Sequence, residues 1–205
     1  MKSQVATFLV LLEPLESRAY LSVSGAQQNT VRPAVRLAHH TETLSMARFG
    51  ISAATARDFA VLAGGGVWGQ VNTVDLYDST TGQWSASAAP HASISDRVSI
   101  GSRVLFFAGS AVDIYDGNSR TWSSVAIAEG RGDAAVCGSV GVAMFAGGTK
   151  AGGDLSRAVH IYNDANRAWS TASLSVARTR VTAAAAGSKF SIRINTRISS
   201  VISAV

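Results

Sequence analysis

The stretch FAVLAGG, at residues 59–65, decides the fold because it returns twice with the same companions. It is followed by VDLYD at 74–78 and by a tryptophan at 84. The second copy has VLFFAGS at 104–110, VDIYD at 112–116 and a tryptophan at 122, and the third has VAMFAGG at 142–148, VHIYN at 159–163 and a tryptophan at 169. Self-similarity of this kind predicts one supersecondary unit built several times.

Two spacings in the repeat are constant and a third is not. Seven residues separate each tyrosine from its tryptophan, and 25 residues separate a tryptophan from the first glycine of the next copy. The step from the first glycine to the tyrosine is 13, 6 and 15 residues in the three copies. Constant spacing indicates regular structure, whereas the variable step indicates a loop that tolerates insertion.

Each copy predicts four short antiparallel strands separated by turn signals. The strands are a small-residue segment, the apolar run before the glycines, the tyrosine segment and the tryptophan segment. In the third strand, the apolar Val74 and Leu76 flank the polar Asp75, which predicts one buried face and one solvated face. Glycine at the end of the second strand permits a positive φ and the close approach of a neighbouring chain.

This pattern resembles the kelch motif, which has a glycine doublet after the second strand, a tyrosine–acid pair in the third and a tryptophan in the fourth. The resemblance covers residues 44–190, with repeats at 44–88, 89–126 and 127–172 and a partial repeat at 173–190. It implies an all-β fold: an incomplete kelch-type β-propeller of about three four-stranded antiparallel blades plus a partial fourth. Ser110 replaces a glycine in copy two and Asn163 replaces the acid in copy three, and both residues suit turns.

The structural residues of the repeat are predicted to shape and separate the blades. Each tryptophan has roughly 150–250 Å² to bury and is expected to lie as a wedge between successive blades. The complete set is Gly64, Gly65, Tyr77, Trp84, Gly109, Tyr115, Trp122, Gly147, Gly148, Tyr162 and Trp169.

The repeat pattern stops after Phe190, so residues 191–205 are interpreted as a non-repeat tail. Propellers typically close with about 4 to 8 blades. The sequence therefore leaves three alternatives: a truncated or degenerate product, one part of a ring that another chain completes, or an open stack. The β-prone segment 198–205 is expected to be prone to aggregation if it forms an exposed edge strand.

The first 43 residues precede the repeats. Residues 1–24 look like a leader, with Lys2 before an apolar run at 5–12 that is far shorter than the roughly 20 residues of a membrane-spanning helix. The segment LEPLESRAYLS, at 12–22, resembles the leader of many exported planctomycete proteins, which implies an extracellular or cell-surface location; the alternative is cytoplasmic. Residues 25–43 are polar and predict a linker.

The net charge of +5 comes chiefly from scattered arginines. Because no run of basic residues is interleaved with aromatic ones, binding of nucleic acid is not predicted. Four arginines recur just before the first strand of each repeat, as is common in the kelch pattern, and are expected to form a patch for acidic ligands on one rim: Arg48, Arg97, Arg131 and Arg178.

No residue set in the sequence predicts catalysis or a cofactor. The single cysteine, Cys137, lies in a small-residue strand and is expected to be a packing residue. Copper oxidases of the kelch-fold type need a cysteine joined to a tyrosine and histidine ligands, and those ligands are not assignable here. The alternative to a non-enzymatic protein is a remnant of a kelch-fold enzyme of the carbohydrate oxidase or sugar-acid isomerase type.

The insertion-tolerant loops are the predicted location of a binding site, because loops on a framework of strands often carry function. The first loop contains Trp68, the one tryptophan outside the repeat pattern, with Gln70 and Asn72 beside it. The third loop is glycine-rich and basic, with Lys150 and Arg157. The sequence therefore favours an interaction module that binds a protein or a glycan, with Trp68 as a stacking platform.

Overall fold

The computed structural model describes residues 6–8, 40–66, 68–92, 94, 96–139, 141–187, 189–193 and 199–203. The chain divides into two compact units, residues 1–47 and 48–205. In the first unit, strand β1 (Ala6–Phe8) pairs antiparallel with β2 (His40–Glu42). Most of the predicted leader and linker lies outside the described residues.

The second unit begins with two four-stranded antiparallel sheets. Blade 1 consists of β3 (Ser52–Ala56), β4 (Phe59–Ala63), β5 (Thr73–Asp78) and β6 (Gln83–Ala88), hydrogen-bonded in that order. Blade 2 has the same order in β7 (Asp96–Ile100), β8 (Arg103–Ala108), β9 (Ala111–Asp116) and β10 (Thr121–Ala126). In both blades the tyrosine of the third strand pairs directly with the tryptophan of the fourth, as Tyr77 does with Trp84.

Blade 3 adds a small ribbon to the same plan. The ribbon pairs β11 (Arg131–Gly132) with β14 (Thr149–Lys150), and the blade itself consists of β12 (Ala135–Ser139), β13 (Val142–Ala146), β15 (Ala158–Asn163) and β16 (Ala168–Ser173). Blade 4 has three strands, β17 (Thr182–Ala186), β18 (Lys189–Arg193) and β19 (Ser199–Ser203). Residues 199–203, which the repeat pattern leaves outside, thus form the edge strand of this sheet.

The predicted fold class is confirmed: among the described residues there is no helix, and three four-stranded antiparallel blades are followed by a partial one. The first strands of successive blades lie next to each other, β3 against β7, β7 against β12 and β12 against β17. The tryptophan strands are the outermost and are largely exposed. The described residues do not show a closed ring.

The hydrophobic core lies between the blades, in three clusters. The cluster between blades 1 and 2 contains Val61 and Leu76 from one side and Phe106 from the other, with the half-buried Trp122 packed against it. The cluster between blades 2 and 3 is built alike, and Trp169 packs against it. Each tryptophan also contacts the tyrosine of its own blade, with ring centroids 5.2 and 5.1 Å apart in blades 2 and 3.

The prediction of one solvated face for the third strand is wrong. In β5, Val74, Asp75 and Leu76 are all buried, because both faces of the strand are covered. The alternation of polar and apolar residues is real, but it reflects a polar contact inside the protein. Asp75 faces a buried arginine, Arg48, at 2.8 Å.

Candidate functional site

The predicted binding residues other than Arg97 lie on the edge of the blades where β4, β8 and β13 end, and we call this edge the doublet end. It comprises the loops 64–72, 109–110 and 147–157 and the segments that enter each first strand. The second glycine of the doublet makes this edge compact, because a Cβ on Gly65 would lie 2.4 Å from the carbonyl oxygen of Phe49. A Cβ on Gly148 would likewise lie 2.5 Å from that of Gly132. The predicted close approach of a neighbouring chain is therefore confirmed.

A buried arginine lies at the doublet end of blade 1. Arg48 donates from Nε to the carbonyl oxygen of Gly64 at 2.8 Å and from Nη2 to that of Leu62 at 3.1 Å. The same Nη2 lies 2.8 Å from Oδ2 of the buried Asp75. A buried guanidinium is tolerated only when it is paired and hydrogen-bonded, and here it is both.

Blade 3 holds its arginine in the same place with a different partner. Arg131 is buried and donates from Nη2 to the carbonyl oxygens of Phe145 at 3.3 Å and Ala158 at 3.4 Å. The same nitrogen lies 2.8 Å from Nδ1 of His160, which stands where blade 1 has Asp75. Burial, and then the charge of Arg131, lower the pKa of His160 below its usual value. The imidazole is therefore neutral and accepts the hydrogen bond.

Blade 2 replaces the arginine with a histidine. His91 donates from its backbone N–H to Oδ2 of Asp113 at 2.8 Å, and its Nδ1 lies 2.7 Å from Oδ1 of the same carboxylate. Asp113 is fully buried. The arginine of this repeat, Arg97, instead lies within β7, where it is exposed and its Nε donates to the carbonyl oxygen of Ala53 at 3.3 Å.

The predicted arginine patch on one rim is therefore wrong for two of its four members. Arg48 and Arg131 are 6% and 2% exposed, because their guanidinium groups donate hydrogen bonds to carbonyl oxygens inside the blades. Arg178 is half-buried and its backbone bonds to Gly148 and Ser156, while Arg97 belongs to a strand. These four residues do not form a common surface, since two are interior groups.

The basic loop of blade 3 is tied to an acid. Nζ of Lys150 lies 2.6 Å from Oε1 of Glu129, and the hydroxyl of the buried Ser156 donates to Oε2 at 3.0 Å. The Lys150 hydrogen bond lowers the pKa of Glu129, and the same bond raises the pKa of Lys150. Arg157 is exposed and its Nε donates to the carbonyl oxygen of Leu174 at 2.9 Å.

The loop of blade 1 presents an aromatic surface instead. The Trp68 side chain is fully exposed, and Gln70 and Asn72 are exposed beside it in sequence. The Asn72 amide also donates to the carbonyl oxygen of Ala89 at 3.0 Å, so it helps to anchor the loop. A second exposed ring, Phe49, lies on the strand segment that pairs with Gly66.

Phe49 was missed by sequence reasoning, although a signal for it exists. It directly follows the entry arginine Arg48, at a position where blade 3 has Gly132 and blade 4 has Thr179. Comparison of the repeats at that one position would have marked a large apolar residue in place of a small or polar one.

The titratable groups of the described residues do not gather into a metal or acid–base centre. No group of three or more histidine, cysteine, aspartate or glutamate residues capable of holding a metal ion occurs in that part of the chain. Burial raises the pKa of the Cys137 thiol to about 11, so this cysteine is a protonated packing residue. No helix in the same part of the chain is long and apolar enough to cross a membrane.

Comparison with known proteins supports the fold and leaves the function open. No protein-family model and no curated protein matches the sequence. The solved structure of YjhT matches with a TM-score of 0.57 and 14% identity, over 77% of this chain and 62% of the YjhT chain. This likeness supports a β-propeller-like, all-β fold. The present chain spans less than two thirds of the length of that chain, and the likeness concerns the fold alone.

Proposed function

We propose that this chain is a non-enzymatic interaction module that binds a protein or a glycan through the loops at the doublet end of its blades. The observation that carries the proposal is the fully exposed indole of Trp68 on a loop held by backbone hydrogen bonds. An exposed large aromatic side chain has no stabilising burial in the free protein, and such residues often anchor ligands.

The arrangement of charged groups also favours binding over catalysis. The buried ionisable side chains Arg48, Asp113 and His160 each bond within their own blade. Catalysis needs acids or bases that face a substrate. We extend the proposal to an extracellular or cell-surface location, which rests on the leader-like sequence, and completion of the ring by another chain stays a prediction.

A binding screen tests the proposal. The purified chain is applied to a glycan array and, separately, is immobilised to capture extracellular proteins, using the natural chain, Trp68→Ala and Val176→Ala. Val176 is exposed on the segment that enters blade 4, outside the three loops of the doublet end, and so controls for loss of apolar surface. Binding that is lost in Trp68→Ala and kept in Val176→Ala supports the proposal.

Two results would overturn it. The first is binding that Trp68→Ala leaves unchanged, because the loop would then carry no contact. The second is tightly bound copper together with peroxide production from a sugar, which would assign the chain to the kelch-fold enzyme alternative.

A further inference from the structure

Two aromatic rings stand in solvent on paired backbone segments of blade 1. Phe49 is 70% exposed and Trp68 is 101% exposed. Phe49 and Gly66 exchange both backbone hydrogen bonds, at 3.1 and 3.0 Å, so the two segments are joined as neighbouring strands. This bridge joins the two segments that carry the rings.

The backbone under these rings is closely packed. A Cβ on Gly66 would lie 2.0 Å from the carbonyl oxygen of Gly69, and Gly66 also bridges to Gln70. The N–H of Val71 donates to the carbonyl oxygen of Gly65 at 2.9 Å. A platform held in this way binds with a smaller loss of conformational entropy than a free loop.

The two segments that carry the rings contain no charged residue. Residues 49–51 and 64–73 contain no lysine, arginine, aspartate or glutamate. The nearest cation in sequence, Arg48, is buried against Asp75. What the surface presents is therefore π faces and the exposed carboxamide of Gln70, which can donate and accept hydrogen bonds.

We propose that Phe49, Trp68 and Gln70 form one binding surface and that its ligand is a neutral glycan; this rests on the proposed function and names its ligand class. Sugar rings present C–H faces that stack on aromatic rings and hydroxyl groups that bond to amides. An anionic sugar would require a cation, and the exposed cation Arg157 lies in the corresponding loop of blade 3. A peptide that adds a strand would require free backbone groups, and Phe49 and Gly66 already use both of theirs on each other.

Acrylamide quenching of tryptophan fluorescence tests the proposal on the full chain. Trp68 is fully exposed and the other three tryptophans are half-buried, so protection from acrylamide reports on Trp68. The probes are cellohexaose, xylohexaose, mannohexaose and chitohexaose as neutral glycans, and the hexamer of galacturonate as an anionic one. We expect protection by at least one neutral hexaose and none by the galacturonate hexamer.

Variants are measured by calorimetry with the hexaose that protects. Trp68→Ala and Phe49→Ala should each weaken binding about tenfold, since loss of an aromatic contact removes on the order of 1 kcal/mol or more. Trp68→Phe should retain binding within about threefold because a π face remains. Leu155→Ala, in the loop of blade 3, should leave hexaose binding unchanged, because this proposal confines the glycan to blade 1.

The outcomes separate this proposal from the function on which it rests. Absence of protection by every neutral hexaose, or equal protection by the galacturonate hexamer, would overturn the neutral-glycan proposal. Capture of a protein that depends on Trp68, without binding of any hexaose, would keep the interaction function and overturn this ligand class. Equal weakening by Leu155→Ala would overturn the assignment to blade 1.

Discussion

Blades 1 and 3 share one framework and differ in what they place on it. In both, an arginine before the first strand, Arg48 or Arg131, is buried and bonds to carbonyl oxygens of the blade. In blade 1 the partner on the third strand is Asp75, and in blade 3 it is His160. In these two blades the interior position therefore holds an arginine, while its partner is an anion in one and a neutral acceptor in the other.

The exposed loops of the two blades also differ in the side chains that they carry. The blade 1 loop is uncharged and aromatic, with Trp68 exposed, whereas the blade 3 loop pairs Lys150 with Glu129 and exposes Arg157. The framework thus sets the position of both loops, and the side chains on them determine which ligands are chemically suitable. This difference directs the proposal of a glycan surface to blade 1.

The largest expected effect on the free energy of unfolding comes from removal of the Asp75 carboxylate in blade 1. Asp75→Ala removes the carboxylate that lies 2.8 Å from the buried Arg48, and removal of one partner of a buried ion pair costs about 3–5 kcal/mol. Urea unfolding measures the change. Asp58→Ala is the matched control, because the Asp58–Arg57 pair is exposed and should contribute at most about 1 kcal/mol. Equal effects of the two variants would contradict the buried pair.

The second glycine of the doublet should matter equally in both blades. Gly65→Ala and Gly148→Ala each add a Cβ about as close to a backbone oxygen, at 2.4 and 2.5 Å, and each residue has positive φ. We expect a loss of about 1–3 kcal/mol in the free energy of unfolding from each. Gly82→Ala, also at positive φ but with open space around it, isolates the conformational part and should cost less. A cost for Gly82→Ala equal to the others would show that the close approach is unimportant.

The neutral His160 of blade 3 predicts that the free energy of unfolding decreases in acid. The pKa of His160 is lowered in the folded protein, and the charged groups that act on it are Arg131 and Glu129. The unfolded chain therefore binds this proton at a higher pH than the folded protein does. The contribution of neutral His160 to the free energy of unfolding is complete above pH 6.5. It decreases as the pH falls towards the folded pKa, by at most about 1.4 kcal/mol per pH unit.

The control for this acid effect is His160→Gln, whose amide oxygen accepts from Arg131 at every pH. Unfolding free energies at pH 7.0 and 5.0, compared between the natural chain and this variant, give the histidine contribution. A difference between the two chains that does not change with pH would contradict the assignment of a neutral imidazole.

A smaller effect is expected in the turns between third and fourth strands. Blade 1 has Gly82 there at φ 70°, and blade 3 has Arg167 at φ 56°. Arg167→Gly should stabilise the protein by up to about 1 kcal/mol, because the left-handed conformation is unfavourable for a residue with a Cβ. Thermal unfolding measures the gain, and a destabilised variant would show that the Arg167 side chain makes a contact that outweighs the strain.

The framework was predictable from the sequence because its signals repeat. The constant tyrosine–tryptophan spacing follows from their direct pairing across two strands, as in Tyr77 with Trp84. The buried arginines were not predictable in this way, because arginine is usually exposed and the partner of Arg48 lies far along the chain, at Asp75. Strand β19 was missed as part of blade 4 because it has neither the tyrosine nor the tryptophan of the other blades.

The candidate site was predicted in part. The exposed Trp68 lies on a loop that the variable spacing had already singled out. The second exposed ring, Phe49, comes from another segment, and the backbone pairing of Phe49 with Gly66 joins the two segments. Proximity of this kind depends on strand register, which spacing along one chain segment does not reveal.

Ligand binding by blade 1 is tested most directly by comparing Trp68→Ala in blade 1 with Leu155→Ala in blade 3, both at exposed apolar residues. For each variant, the free energy of unfolding and the binding of the glycan or protein ligand are measured side by side. We expect that both unfolding free energies stay within about 0.5 kcal/mol of the natural chain and that only Trp68→Ala loses binding. Retention of binding in Trp68→Ala, or its loss in Leu155→Ala, would contradict the assignment of the ligand to blade 1.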